Sequence, residues 1–340
     1  MKPIPIYRAA HLLPYVQWLR TAGAPVERGL RQAKLPTLID DRPDAYLPLA
    51  PSIAFLEKMG RSQGIDELGL RAAQQLNMAD LSDPLVASVL QSPTLRVALE
   101  HFAKLAYLED SSLRLWISSE KSIAKLCWVS AFPFNPQGLR YDDWSNVLTL
   151  LSIARAFLGA TWQPNEMAFR SNVPLARFAF EQYQNTHFLI GQRTAWISLP
   201  RSFLSLSPRA SGDAPGVPRT SSPEHSLHGD APLLDFPGSL RRVLTPYLPG
   251  DRPSIKFAAE LAGTSVRTLQ RRLQQFGMSF SDVLDQARFE VASTLLRERD
   301  TKVIDIAYEV GYEDPAHFTR AFRRLANITP RQYRCQNRLE

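Results

Sequence analysis

The sequence predicts a two-part molecule: an α+β N-terminal domain joined by a flexible linker to an all-α domain with two helix-turn-helix motifs. Three observations carry that expectation. Residues 207–238 contain 15 Pro, Gly and Ser among 32 positions and show neither a helical nor a strand period. Before them, stretches that alternate apolar and polar residues lie among stretches of helical period. After them nearly every segment has the helical period, and one pattern occurs twice. The expected bounds are therefore 1–206, a linker at 207–238, and 239–340 with motifs at 255–276 and 303–326.

A chain of 340 residues, 44% hydrophobic and 21% charged, has the length for two cores and an ordinary globular composition. No apolar run approaches the roughly 20 residues of a membrane helix. The opening MKPIPIYRAAHLLPYVQWLR has no continuous apolar segment and no small-residue cleavage site, so it does not read as a signal peptide. Two distant cysteines, Cys127 and Cys335, suit a reducing cytoplasm, and Cys127 sits in an apolar stretch that predicts burial. His225 and His228 have no further ligand nearby, so no metal site is expected. The absence of a glycine-rich phosphate loop, of G-x-S-x-G and of H-E-x-x-H leaves no motif for a cofactor or for hydrolysis. The net charge of +7 is uneven: residues 239–340 hold 17 basic and 12 acidic side chains, the preceding 238 residues 23 and 21. Excess positive charge in the last third permits a nucleic-acid partner.

In the first part, Pro93 after Ser92 marks a helix start, and Leu95, Ala98, Leu99, Phe102 and Leu105 keep its period. SLRLWIS (112–118) and IAKLCWVS (123–130) read as a β-hairpin turning near Glu120-Lys121, and TAWISLP (194–200) reads as another strand. LRYDDWSNVLTLLSIARAFL (139–158) reads as a long, mostly buried helix. Its neighbouring Asp142 and Asp143 point different ways from a helix, which makes them expected surface charges.

In the last part, residues 266–276 place Val266, Leu269, Leu273 and Phe276 on one stripe. Arg267, Arg271 and Gln274 fall opposite, with Gln270 among them. Ser265 is a suitable N-cap and Gly263 breaks the preceding helix. Helix, glycine turn, helix with a basic outer face is the layout of a helix-turn-helix, although one such face alone is equally consistent with solvated charge. The second copy decides between these. A-E-L-A-G (259–263) aligns with A-Y-E-V-G (307–311), and the caps Ser265 and Asp314 each precede an arginine by six positions, Arg271 and Arg320. Pro315 suits the first helical position. Phe318, Ala321, Phe322 and Leu325 form the second apolar stripe, opposite Ala316, Arg320 and Arg323, with Thr319 and Arg324 at the flanks. Between the copies, 280–299 is an amphipathic helix, at about 1.5 Å per residue long enough to set two recognition helices near 30 Å apart. That approximates one turn of B-DNA.

These residues resemble the DNA-binding domain of the AraC/XylS family of bacterial transcription regulators over 255–334. DIAYEVGYEDPAHFTRAFRRLANITPRQYR (305–334) is similar to the family's signature, with Asn327 where glycine is usual. Asn tolerates the left-handed backbone such a position needs. The resemblance implies double-stranded DNA as partner. It implies base reading by Arg267, Gln270 and Arg271 in the first motif and by Pro315, Ala316, Thr319 and Arg320 in the second. Gln274, Arg323 and Arg324 extend the two faces. Pro315 and Ala316 have no side-chain donor, so the second motif is expected to lean on phosphate or methyl contacts. Residues 1–206 resemble the arabinose-binding-like regulatory domain of one branch of this family, typified by ornithine-utilisation regulators. That resemblance implies small-molecule effector sensing, homodimerisation, or both, without identifying the effector; RNA polymerase is a further expected partner. A DNA-tethered enzyme would need a nucleophile or ligand cluster in 1–206, where none is found. An architectural DNA-binding protein would not discriminate between sequences.

Overall fold

The computed structural model describes residues 2–65, 68–208, 235–249, 253–298 and 300–337. Most of the expected linker, 209–234, lies outside them, as do His225 and His228. The chain divides into two compact units: Tyr7–Asp44 with Leu49–Ala231, and Met1–Ile6 with Ala45–Pro48 and Pro232–Glu340. Two short strands, β1 (Ile6–Arg8) and β2 (Tyr46–Pro48), fall in the first 50 residues.

The first unit has α1 (Leu13–Thr21), α2 (Val26–Gln32), α3 (Leu49–Ser62), α4 (Leu68–Ala73), α5 (Asp83–Leu90) and α6 (Leu95–Leu105). Its sheet follows with β3 (Leu113–Glu120) and β4 (Ile123–Ser130), then α7 (Pro136–Leu158), β5 (Glu166–Ala168), α8 (Arg177–Gln182), β6 (His187–Leu189) and β7 (Ala195–Pro200). The strand order is β3-β4-β7-β5-β6, with β5 and β6 parallel and the other pairs antiparallel. The expected hairpin is present. Its turn is Lys121-Ser122, closed by the pair Glu120 and Ile123, with Lys121 at φ 52° as two-residue hairpin loops require.

Two details of this unit differ from the sequence expectation. Thr94, not Pro93, starts α6: its hydroxyl accepts from the Val97 amide at 3.4 Å, so the proline lies before the cap. Asp142 and Asp143 are buried rather than on the surface. Adjacent helical residues do point apart, but α7 is enclosed on most of its circumference, so both directions lead inward.

The second unit contains α9 (Phe236–Leu244), which Asp235 caps by accepting from the Gly238 amide at 2.7 Å. The helix thus begins inside the segment expected as linker. It is followed by α10 (Ile255–Leu261), α11 (Val266–Gln274), α12 (Phe280–Glu298), α13 (Val303–Glu309), α14 (Pro315–Ala326) and α15 (Pro330–Asn337). One core joins Phe236, Leu240, Leu261, Leu269, Leu273 and Val283 with Ile4, Ile6 and Tyr46 from the start of the chain. The Ile4 amide donates to Ser239 Oγ at 2.9 Å, and the Arg242 guanidinium lies 5.5 Å from the Tyr46 ring centre. The expected bounds put these three N-terminal residues elsewhere. A separate core joins Leu296, Ile306, Val310, Phe318 and Phe322, with Phe289 tilted against Phe322 at 4.8 Å and Tyr333 edge-on to it at 5.4 Å between ring centres.

Candidate nucleic-acid interface and ligand cavity

Both helix-turn-helix motifs are built as their local sequences dictate. Gly263 and Gly311 take φ of +60° and +81°, the left-handed conformation that glycine adopts without a Cβ penalty. Ser265 Oγ accepts from the Thr268 amide at 3.2 Å and Asp314 Oδ1 from the Ala316 amide at 2.8 Å, so both expected caps are made. Asn327 ends α14 at φ 61°, the left-handed residue that its place in the motif demands.

Leu269 and Leu273 anchor α11 with no exposed surface. Arg267, Gln270, Arg271 and Gln274 are all exposed on its other side. Phe276, expected on the apolar stripe, is 41% exposed. It lies beyond the last helical residue and before Gly277 at φ 69°, where the helical projection no longer applies. Arg272 is turned inward, 5.2 Å from the Phe236 ring centre.

On α14, Phe318 and Phe322 are buried, Ala316, Arg320, Arg323 and Arg324 are exposed, and Pro315 and Thr319 are half-buried. The Thr319 hydroxyl donates back to the Pro315 carbonyl at 2.9 Å, which occupies its proton within the helix. Arg324 is held by Asp285 of α12 at 2.6 Å. Among the described residues Arg267, Arg271, Arg320 and Arg323 have no carboxylate partner. Four cations on two exposed faces, left to solvent by the protein itself, form a surface that attracts polyanions.

The other feature lies in the first unit. Tyr7, Tyr15, Phe102, Tyr141, Asp110 and Asp142 are among the residues around a cavity of about 60 Å³. Apolar periodicity alone does not separate the aromatic lining of such a cavity from a packed interior. Beside it, Glu109 accepts from Arg8 Nη1 at 2.9 Å, from His11 Nε2 at 2.8 Å and from the Ser82 amide at 2.9 Å. Burial alone would raise its pKa, but His11 and Arg8 outweigh that and hold it at about 2. The Asp142 carboxyl is the opposite case. Burial, then the neighbouring Asp143 and Asp110, push it well above the carboxylate range. Burial likewise raises Asp143 to about 7, although the Ser171 amide and Arg170 favour its charged form.

Two family models match this chain. A helix-turn-helix domain covers residues 258–336, and the N-terminal arabinose-binding domain of AraC transcription regulators covers 23–207. The chain belongs to the AraC family of transcription regulators. Members pair a helix-turn-helix DNA-binding domain with an N-terminal effector-binding domain, and this chain carries both. It is 24% identical to the HTH-type transcriptional regulator VirS of Mycobacterium tuberculosis, across 97% of this chain and 96% of that one. It is 27% identical to the ornithine utilization regulator of Pseudomonas aeruginosa, across 80% and 79%. The crystal structure of the transcriptional regulator CdpR from Pseudomonas aeruginosa aligns at a TM-score of 0.38 and 17% identity, across 82% of this chain and 91% of that one. No described helix of this AraC-family chain is long and apolar enough to cross a membrane.

Proposed function

We propose that α11 and α14 are the recognition helices of this AraC-family regulator and enter two successive major grooves on one side of its operator. The observation that carries this reading is the outward cationic face on each helix, where Arg267, Arg271, Arg320 and Arg323 have no carboxylate partner among the described residues, behind matched caps and turns. Arg267, Gln270 and Arg271 are the principal base readers, with Gln274 extending the face. Arginine matches the two acceptors on the edge of guanine, and glutamine matches adenine. On α14, Arg320 reads a base while Pro315, Ala316 and Thr319 supply apolar contact. Arg323 and Arg324 contact phosphates. The 19 residues of α12 span about 28 Å, close to the roughly 34 Å of one turn of B-DNA.

The protein acts in the cytoplasm as a homodimer, contacts RNA polymerase, and responds to a small effector held in residues 7–206. The N-terminal unit senses and does not catalyse. Arg271→Ala should weaken operator binding by about 1–3 kcal/mol and relax preference at one base pair. Band-shift titration against the operator and single-base variants, at one salt concentration, measures both. Equal weakening on every sequence would make Arg271 a phosphate contact and overturn its assignment.

A further inference from the structure

The cavity of the N-terminal unit has chemistry that a packing void lacks. Asp142 is 7% exposed. Its Oδ1 accepts from Asn146 Nδ2 at 3.2 Å, while its Oδ2 accepts no hydrogen bond. The nearest cation to Oδ2 is Arg170 Nη1 at 3.8 Å, beyond hydrogen-bonding distance. Asp143, wholly buried beside it, has Oδ1 unpaired as well. Asp110 lines the same cavity, with Oδ1 taken by the Ser112 amide and hydroxyl. The Tyr15 hydroxyl, next to Ser145, makes no hydrogen bond of normal geometry. His11 also lines the cavity but is engaged by Glu109 at 2.8 Å, so it does not serve as the counter-ion of these acids.

We propose that this cavity binds a small ligand through a protonated amine, which donates to Asp142 Oδ2 within the rings of Tyr7, Tyr15 and Tyr141. The assignment rests on the effector reading above and names the ligand class for it. The unpaired Asp142 oxygen calls for a polar partner, and Asp142 and Asp143 share one nearby guanidinium, Arg170. An incoming ammonium would offset the burial and the Asp143 repulsion that hold Asp142 above the carboxylate range. Tyrosine faces favour the same charge. A neutral polyol would fill the open oxygen without drawing Asp142 into its charged form, and an anion would oppose that ionisation. The volume of about 60 Å³ admits roughly four to six heavy atoms, since one water-sized group needs about 10–15 Å³.

The test uses the full chain with n-butylamine, n-butanol, butyrate and arabinose as probes, by calorimetric titration and thermal melting at one pH and ionic strength. n-Butylamine should bind and raise the melting temperature, and the other three should do neither. Asp142→Asn keeps the shape and removes the carboxyl that an ammonium would ionise. It should lose about ten- to a hundredfold in n-butylamine affinity without melting lower than the parent protein. Tyr15→Phe, which removes only the hydroxyl, should weaken binding several-fold and provides a second reading if Asp142→Asn fails to fold. Binding of n-butanol or arabinose as tightly as the amine, preference for butyrate, or no binding by any probe would overturn the proposal. Unchanged n-butylamine affinity in a folded Asp142→Asn would overturn it too. An amine that binds as stated yet leaves operator affinity unaltered would uphold the ligand class and remove the effector reading, which keeps the two failures distinct.

Discussion

The two helix-turn-helix motifs share caps, turns and a basic outer face, yet they are built to different ends. The first presents Arg267, Gln270, Arg271 and Gln274, a row of hydrogen-bonding groups exposed to solvent. The second opens on Pro315 and Ala316, which have nothing to donate, and its Thr319 hydroxyl is spent on the Pro315 carbonyl. Their supports differ too. The first core borrows Ile4, Ile6 and Tyr46 from the beginning of the chain. The second is closed within itself by Phe289, Phe318, Phe322 and Tyr333. Gly263 turns in open space, whereas a Cβ on Gly311 would lie 2.7 Å from the Leu248 carbonyl oxygen. Arg288 locks that second turn by donating to the Gly311 carbonyl at 2.9 Å. The contrast fits the proposed roles: a first motif that supplies most base contacts on a composite base, and a second that adds Arg320 and phosphate contacts on a core of its own.

The largest expected effect tests the two supports. Phe322→Ala should cost about 3–5 kcal/mol by opening the aromatic core, and Ile6→Ala about 2–5 kcal/mol by opening the composite one. Amide hydrogen exchange separates them. Ile6→Ala should speed exchange in α9 and α11 and leave α14 protected, and Phe322→Ala should do the reverse. Exchange in α9 and α11 that ignores Ile6 would break the composite-base half of the comparison.

Much of this region was legible in the sequence because its determinants are local. Ser265, Asp314, the two turn glycines and Asn327 each act within a few residues of themselves, and all take the expected roles. Ile4, Ile6 and Tyr46 were not legible, since nothing near them in sequence indicates that they pack on residues some 200 positions away. The cavity was hidden for a related reason. Asp142 and Asp143 sit in a run that reads correctly as a buried helix, but the alternation of directions along a helix says only that neighbours diverge. It does not say that both directions end inside protein.

A middle-sized effect tests the two turns. Gly263→Ala should cost about 1–2 kcal/mol, the ordinary penalty of a side chain in the left-handed region. Gly311→Ala should cost more, because the added carbon also meets the Leu248 carbonyl. Equal shifts in melting temperature would show that the second turn is not locked.

The smallest effect tests the arginines at the end of α14. Arg324 is paired with Asp285 but 60% exposed at its side chain, so Arg324→Ala should change stability by less than about 1 kcal/mol. Arg323 has no such partner. Arg323→Ala should weaken binding to any duplex more than Arg324→Ala does, and should reduce the salt slope by about one. Band shifts across a salt series give both numbers, and a reversed order would mean that the Asp285 pair opens freely on DNA.

The most direct test of these proposed roles is a binding profile over randomised operator fragments at fixed salt, measured for the parent protein, Arg271→Ala and Arg323→Ala. The account predicts that Arg271→Ala flattens the preference at one base pair and leaves the others, while Arg323→Ala weakens every sequence alike and keeps the profile intact. An unchanged profile in Arg271→Ala, or a lost base preference in Arg323→Ala, would contradict it.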